Sequence, residues 1–197
     1  REAVETMTEL IEYYKGIFTI LSSCASRQLE EVTFRRTVIP VQELLDAAGK
    51  YFKKLMKNRP ERIELEIESM EAKVIGDVNQ LRFLLENLID EALTVREDGV
   101  IRLQARKDNE YIRFLFTDTR REKSVEELNQ LFYPNLARMT SGEKGELRGT
   151  EYLVCKQIIR DHDEFAGRRG CRINAEPAEG GGFTVYFTIP RRQKENT

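Results

Sequence analysis

Apolar residues open the chain at alternating steps of three and four: Val4, Met7, Ile11, Tyr14, Phe18, Leu21, Ala25 and Val32, interrupted by Gln28. Such a narrow stripe is the seam of a coiled coil or an antiparallel helical hairpin, and an ordinary amphipathic helix packed on its own domain is the plainer alternative. A polar link through Arg36 follows, and Pro40 then introduces a second helix. That helix carries Val41, Leu44, Leu45, Ala48, Phe52 and Leu55 on one face and stops at Pro60. Strict alternation over Ile63-Glu64-Leu65-Glu66-Ile67-Glu68 predicts a strand with one buried and one wet face. A short strand at Lys73 to Ile75 comes next.

Asp77 is placed to cap a further helix, with Gln80 three residues on as its capping-box partner and Leu81, Leu84, Leu85, Leu88, Ile89 and Ala92 as the apolar stripe. Ile101 to Ala105 and Ile112 to Thr117 alternate on either side of Asp108-Asn109, which predicts a hairpin. From Asp118 to Gly149 the pattern is irregular, punctuated by Pro134, Gly142, Gly145 and Gly149, with one short helix around Val125 to Phe132. A helix from about Thr150 to Arg160, a strand at Cys171 to Ala175, a turn at Gly180-Gly181-Gly182 and a strand from Phe183 to Ile189 complete the chain. The expected fold class is α+β: a two-layer α/β sandwich, with a mixed sheet and helices on one face, preceded by a long N-terminal helix. The expected division is a helical segment over 1–36 and a globular domain over 37–197.

Composition narrows the functions open to this fold. With 32 Lys and Arg against 34 Asp and Glu, the 197-residue chain has a formal charge of −2, which gives no broad attraction to nucleic acid or to an anionic membrane. Three cysteines, Cys24, Cys155 and Cys171, lack the paired spacing of a disulfide framework or zinc knuckle, so a reducing, cytoplasmic setting is expected. The longest uncharged run of the first segment, Gly16 to Ser26, is well short of the ~20 apolar residues of a membrane helix, so no membrane contact is expected of this stretch. The chain starts at Arg1 rather than Met, which suggests a piece of a longer protein whose upstream part can hold a membrane anchor.

The order of these pieces resembles the histidine-kinase branch of the ATPase family shared with gyrase and the Hsp90 chaperones. Val74-Ile75-Gly76-Asp77-Val78-Asn79-Gln80-Leu81-Arg82 looks like the lead-in to that family's asparagine box, and Leu85-Glu86-Asn87-Leu88-Ile89-Asp90-Glu91-Ala92 looks like the box itself. Lys156-Gln157-Ile158-Ile159, His162 and the run from Gly180 to Pro190 are similar to the closing helix and hairpin. The resemblance implies the two-layer sandwich of the histidine-kinase ATPase type, and makes the first thirty-odd residues similar to the second helix of a dimerisation hairpin. It also implies ATP and magnesium as ligands, a homodimer through the N-terminal helix, and a response regulator or other signalling protein as partner. The phospho-acceptor histidine belongs on the first helix of such a hairpin. His162, the chain's one histidine, sits instead near the far end and reads as structural or surface.

Several implied site positions depart from the pattern. Asn87 matches the first amide of the asparagine box, whereas Glu91 stands where the second, the magnesium ligand, is expected. A carboxylate suits that hard cation, and it also sets a negative charge beside a triphosphate. Asp118, at a strand end, matches the aspartate that reads the adenine amino group; its plainer role is to start a turn. Arg120 and Glu122 replace the glycines expected after it. With the box anchored on Lys156, Gly149 matches a retained glycine of the second glycine box, and Glu151 replaces the next, where its charge favours the helix start and disfavours a phosphate; a register slipped by two residues starts the box at Gly149-Thr150 and loses the match at Lys156.

The nucleotide positions implied by the resemblance are thus Asn87, Glu91, Asp118, Arg120, Gly149 and Glu151, with Glu91 at the metal and no residue assigned a catalytic role. Three functions compete. The first is a regulatory pseudokinase with weak or absent ATP and magnesium binding. The second is an atypical active kinase with its acceptor upstream of Arg1, and the third is a small-ligand sensor using the old adenine pocket.

Overall fold

The structure is a computed structural model that describes Val4, Met7 and Ile11, and then residues 34–133, 140–141 and 147–193. Two compact units emerge, one of 34–132 with 151–197 and one of 1–33 with 133–150. In the second unit the described part comprises Val4, Met7 and Ile11, all helical and exposed. It also holds a short ribbon that the sequence did not suggest, β6 (Thr140–Ser141) antiparallel to β7 (Leu147–Arg148). The rest of the expected N-terminal seam, from Tyr14 to Val32, lies outside the described residues, as do Pro134, Gly142 and Gly145. No described helix is long and apolar enough to cross a membrane.

The larger unit opens with the polar link through Arg36 and then a strand that the sequence did not suggest. β1 (Thr37–Pro40) pairs antiparallel with β3 (Lys73–Gly76). Two residues, Val38 and Ile39, are the apolar content of β1, too short a pattern to read, and Ile39 is the one that enters the core. Pro40 then occupies the N-cap position of α1 (Val41–Met56) without a side-chain cap. The helix buries Val41, Leu44, Leu45, Ala48 and Phe52, and it ends before the proline at position 60.

Five strands make the main sheet in the order β2-β4-β5-β9-β8. They are β2 (Ile63–Ile67), β4 (Gly99–Asp108), β5 (Tyr111–Asp118), β8 (Ile173–Pro177) and β9 (Phe183–Pro190). The β2–β4 pair is parallel and the others antiparallel, so the sheet is mixed, as expected. Period-two alternation sends Ile101, Leu103, Ala105, Ile112, Phe114, Phe116, Val185, Phe187 and Ile189 into the core. Phe114 and Phe187 face each other in register and stack with ring centroids 4.9 Å apart. On the opposite face, Arg102–Glu66 and Arg106–Glu68 bridge β4 to β2, each at 2.7 Å. These pairs are half exposed and screened by water, so they favour the register more than they stabilise the fold.

Three helices cover the apolar face: α1, α2 (Val78–Ala92) and α4 (Glu151–Phe165), with short α3 (Val125–Asn129) after β5. Ser124 and Glu127 form a reciprocal capping box on α3. The box expected at α2 forms only by half. Asp77 accepts the N–H groups of Asn79 and Gln80, at 3.0 and 3.1 Å, but Gln80 does not return a bond, and its Oε1 is buried without a partner. The N–H of Asp77 donates instead to Nε2 of His162 at 3.1 Å. Nδ1 of His162 meets the carbonyl of Ile158 at 2.8 Å, so the ring carries its proton on Nδ1 and accepts on Nε2. His162 extends the stripe Tyr152, Cys155, Ile158, Ile159, and for that reason α4 runs to Phe165 rather than ending near Arg160. Its side chain is fully buried, which fixes a structural role.

Burial lowers the pKa of His162 against the opposing pull of the Ile158 carbonyl, Asp77 and Asp161. A histidine held neutral in the fold, but free to charge when unfolded, contributes stability that is present above the unfolded value of about 6.5 and falls as pH drops below it. The melting temperature should therefore decline between pH 7.5 and 5.5, and a His162→Gln variant should show a shallower decline. Equal slopes for the two proteins would contradict the assignment.

Candidate functional site

The site forms where three element ends converge: the end of α2, the end of β5 and the start of α4. Asp118 is the last residue of β5, and its inward parity in the strand leaves it 1% exposed. A carboxylate offers about four lone-pair sites. Here four donors occupy them. Oδ1 accepts the backbone N–H of Arg120 at 3.0 Å and its Nε at 2.9 Å, while Oδ2 accepts Nη2 of Arg120 at 2.9 Å and Nε of Arg121 at 3.1 Å.

Arg120 is equally committed. Its side chain is 1% exposed, and beyond the fork on Asp118 it donates to the carbonyls of Ala92 (2.7 Å), Glu97 (3.2 Å) and Val95 (3.4 Å). A guanidinium has five N–H groups, and these contacts use them all. The carbonyls belong to the last turn of α2 and the segment after it, where a cation also meets the negative end of the helix dipole. Room for the stem comes from Gly99, at φ +143°, where an added Cβ would lie 2.7 Å from Cγ of Arg120. On the other side Gly182, at φ +82°, brings the β8–β9 turn against Asp118, since a Cβ there would lie 2.1 Å from the Asp118 carbonyl oxygen.

Arg121 extends the network to Glu91. Its Nη1 and Nη2 lie 3.2 and 2.8 Å from the two carboxylate oxygens, and the hydroxyl of Tyr152 donates to Glu91 Oε2 at 2.6 Å. The face of Phe183 covers the Arg121 guanidinium, 5.5 Å from the ring centroid. The charges leave a clear signature. Burial alone raises the Asp118 carboxyl, but the bonds from Arg120 and the charge of both arginines outweigh it and hold it below the usual carboxylate range. Burial works against the charged form of Arg121, yet Glu91 holds its pKa above the ordinary value. Burial, then the charge of Glu91, drives the Tyr152 phenol well up, so it stays a donor.

Of the residues the sequence singled out, Glu91, Asp118 and Arg120 meet in this one network. Asn87, one turn before Glu91 on α2, is buried and donates its amide to the carbonyl of Phe83 at 2.8 Å within its own helix. Glu151 is the first residue of α4, where a negative charge suits the helix start. Gly149 belongs to the other compact unit and has φ 87°. Sequence reasoning missed Tyr152 and Gly99. Tyr152 falls on the apolar stripe of α4, and Gly99 lies two residues before the strand expected from Ile101. Among the described residues no cluster of three or more His, Cys, Asp or Glu is arranged to hold a metal.

Removing one member of a buried, hydrogen-bonded ion pair strands the other, at a cost of about 3–5 kcal/mol. Urea unfolding should therefore show that loss for Arg120→Ala, and Asp118→Ala in the same background should add much less than it does alone. Arg121, 15% exposed, should matter less. A loss under about 1 kcal/mol for Arg120→Ala would show that the pair is not a structural element.

The profile of histidine kinase-, DNA gyrase B-, and HSP90-like ATPases matches residues 76–193, a span that contains this network. Solved structures share the fold. The nucleotide-free catalytic domain of histidine kinase ThkA is 21% identical, with a TM-score of 0.62 over 80% of this chain and 96% of that one. The mycobacterial sensor histidine kinase MprB is 17% identical, with a TM-score of 0.62 over 81% of this chain and all of that one. ThkA in complex with response regulator protein TrrA is 19% identical, with a TM-score of 0.61 over 95% of this chain and 52% of that one. No curated protein matches. The chain belongs to the histidine kinase-, DNA gyrase B-, and HSP90-like ATPase family.

Proposed function

We propose that this chain is a regulatory pseudokinase module of a two-component type of signalling protein, in which the ATPase fold is kept and nucleotide turnover is not. One observation carries the reading: the saturation of Asp118 by Arg120 and Arg121. Adenine recognition through Asp118 requires an open acceptor on its carboxylate, and metal ligation by Glu91 requires an open carboxylate oxygen. The arrangement does not fit adenine, and at Glu91 three donors, two from Arg121 and one from Tyr152, already engage the carboxylate. To admit adenine, Arg120 has to leave, stranding a buried charge and the carbonyls it serves, at about 3–5 kcal/mol. The amino group of adenine returns one hydrogen bond to a charged acceptor, about 1.5–3 kcal/mol. The internal partner wins this exchange. At Glu91 the Arg121 guanidinium supplies the positive charge a magnesium ion would bring, already hydrogen-bonded and covered by Phe183.

The same reading takes the module to be cytoplasmic and to work through contacts. Val4, Met7 and Ile11 are helical, exposed and spaced at three and four, which suits a helix that pairs with a second copy. A response regulator is a natural further partner, since a similar fold, ThkA, is known in complex with one.

Two measurements test this. Calorimetry with ATP, ADP and adenosine, each with and without magnesium, should give no saturable heat up to about 1 mM ligand. Micromolar, magnesium-dependent ATP binding would instead support an atypical active kinase, and tight adenosine binding a ligand sensor. Sedimentation should show a dimer that Ile11→Glu weakens; a monomer at high concentration would remove the pairing claim.

A further inference from the structure

The sheet ends on one side at β2, and the parity of its hydrogen bonds decides what that edge offers. The N–H of Gly99 bonds to the carbonyl of Arg62, and the N–H of Glu68 bonds to the carbonyl of Leu103. In a parallel ladder with Ile63 opposite Gly99 and Ile67 opposite Leu103, this turns the backbone groups of Glu64 and Glu66 toward β4. Those of Ile63, Leu65 and Ile67 therefore point away from the sheet. None of these three residues has a recorded backbone partner among the described residues.

The edge does not face open solvent alone. Between β2 and α1 runs a groove of about 680 Å³, with Phe52, Ile63, Leu65 and Ile67 among its lining and Lys50 and Asp46 on the helix side. Ile67 touches α1 at Gly49, where an added Cβ would lie 3.0 Å from Ile67 Cδ1, and Gln42 of α1 accepts the N–H of Met70. These contacts fix β2 against α1 and leave the stretch around Leu65 accessible. The opposite edge of the sheet, β8, ends in Pro177, which has no N–H to offer.

We infer that the β2 edge is a docking site for an extended segment of a partner protein that adds as a sixth strand, with apolar and basic residues alternating. Backbone parity gives the pairing. Side-chain parity gives the alternation. Residues of the added strand beside Leu65 face the groove floor and Phe52, whereas their neighbours lie beside Glu64 and Glu66 on the wet face, both exposed. Arg102 and Arg106 of β4 already meet Glu66 and Glu68 from the inner side, showing the charge pattern that this acidic row accepts. A second copy of the chain is a poor occupant. An antiparallel β2–β2 pairing centred on Leu65 sets Glu64 against Glu66 of the second copy, like charges directly opposed. This inference is independent of whether nucleotide binds.

The test uses the whole protein and amide hydrogen exchange read by NMR. Alone, Ile63, Leu65 and Ile67 should exchange fast and Glu64 and Glu66 slowly. A capped peptide of about seven residues alternating valine and lysine should protect the three fast amides in a saturable way, and bind about tenfold tighter than the valine–glutamate counterpart. Glu64→Lys, a surface change, should weaken the lysine peptide about threefold or more. Equal protection by the two peptides, binding that leaves these amides fast, or no binding would overturn the inference. Protection that rises with protein concentration alone would overturn it in favour of a second copy.

Discussion

A carboxylate buried at the end of a central strand has to be satisfied, and the way Asp118 is satisfied decides what this domain can do. In water its cost would be nil. At 1% exposure an unpaired charge is among the most expensive features a fold can carry, so the surrounding chain supplies donors to every lone pair. The donors come from Arg120 and Arg121, the second and third residues after it. Because the Arg120 guanidinium also ties down the carbonyls that follow α2, one side chain joins the end of β5 to the end of α2. Arg121 carries the connection on through Glu91 to Tyr152 on α4. The network is a cross-brace between a strand and two helices.

A second polar device acts at the opposite end of the α2–α4 pair. Near Glu91 and Tyr152 the two helices are joined by charge, and near Asp77 and His162 by a neutral imidazole that accepts a backbone N–H. Between them Cys155 lies against the Leu84 carbonyl in an apolar interior. The helices thus run antiparallel and are pinned at both ends, which holds the layer over the sheet.

Much of this was legible in the sequence. Alternation over 63–67, 101–105 and 112–117, the three-and-four stripes of α1 and α2, and the triple-glycine turn are all local patterns, and local patterns survive folding. What was not legible depends on pairing between distant segments. β1 has too few residues to announce itself, and its strand character comes from β3, more than thirty residues on. Gln80 satisfies the spacing rule for a capping box, yet the Asp77 N–H goes to His162, eighty-five residues from Asp77. The candidate site followed the same division. Glu91 and Asp118 stood out by position, and Arg120 stood out as a misfit in a glycine box. Whether Arg120 turns inward stayed open in the sequence, because it depends on the space left by Gly99 and on carbonyls released at the end of a different element.

The central claim is that Arg120 is the resident partner of Asp118 and does not yield to nucleotide. Nitrogen-15 NMR of the arginine side chains tests it most directly. The account predicts that the Nε–H of Arg120 exchanges slowly with solvent and that its resonance stays in place when magnesium and a non-hydrolysable ATP analogue are added in excess. A saturable shift of that resonance, or its loss to fast exchange as nucleotide binds, would contradict it.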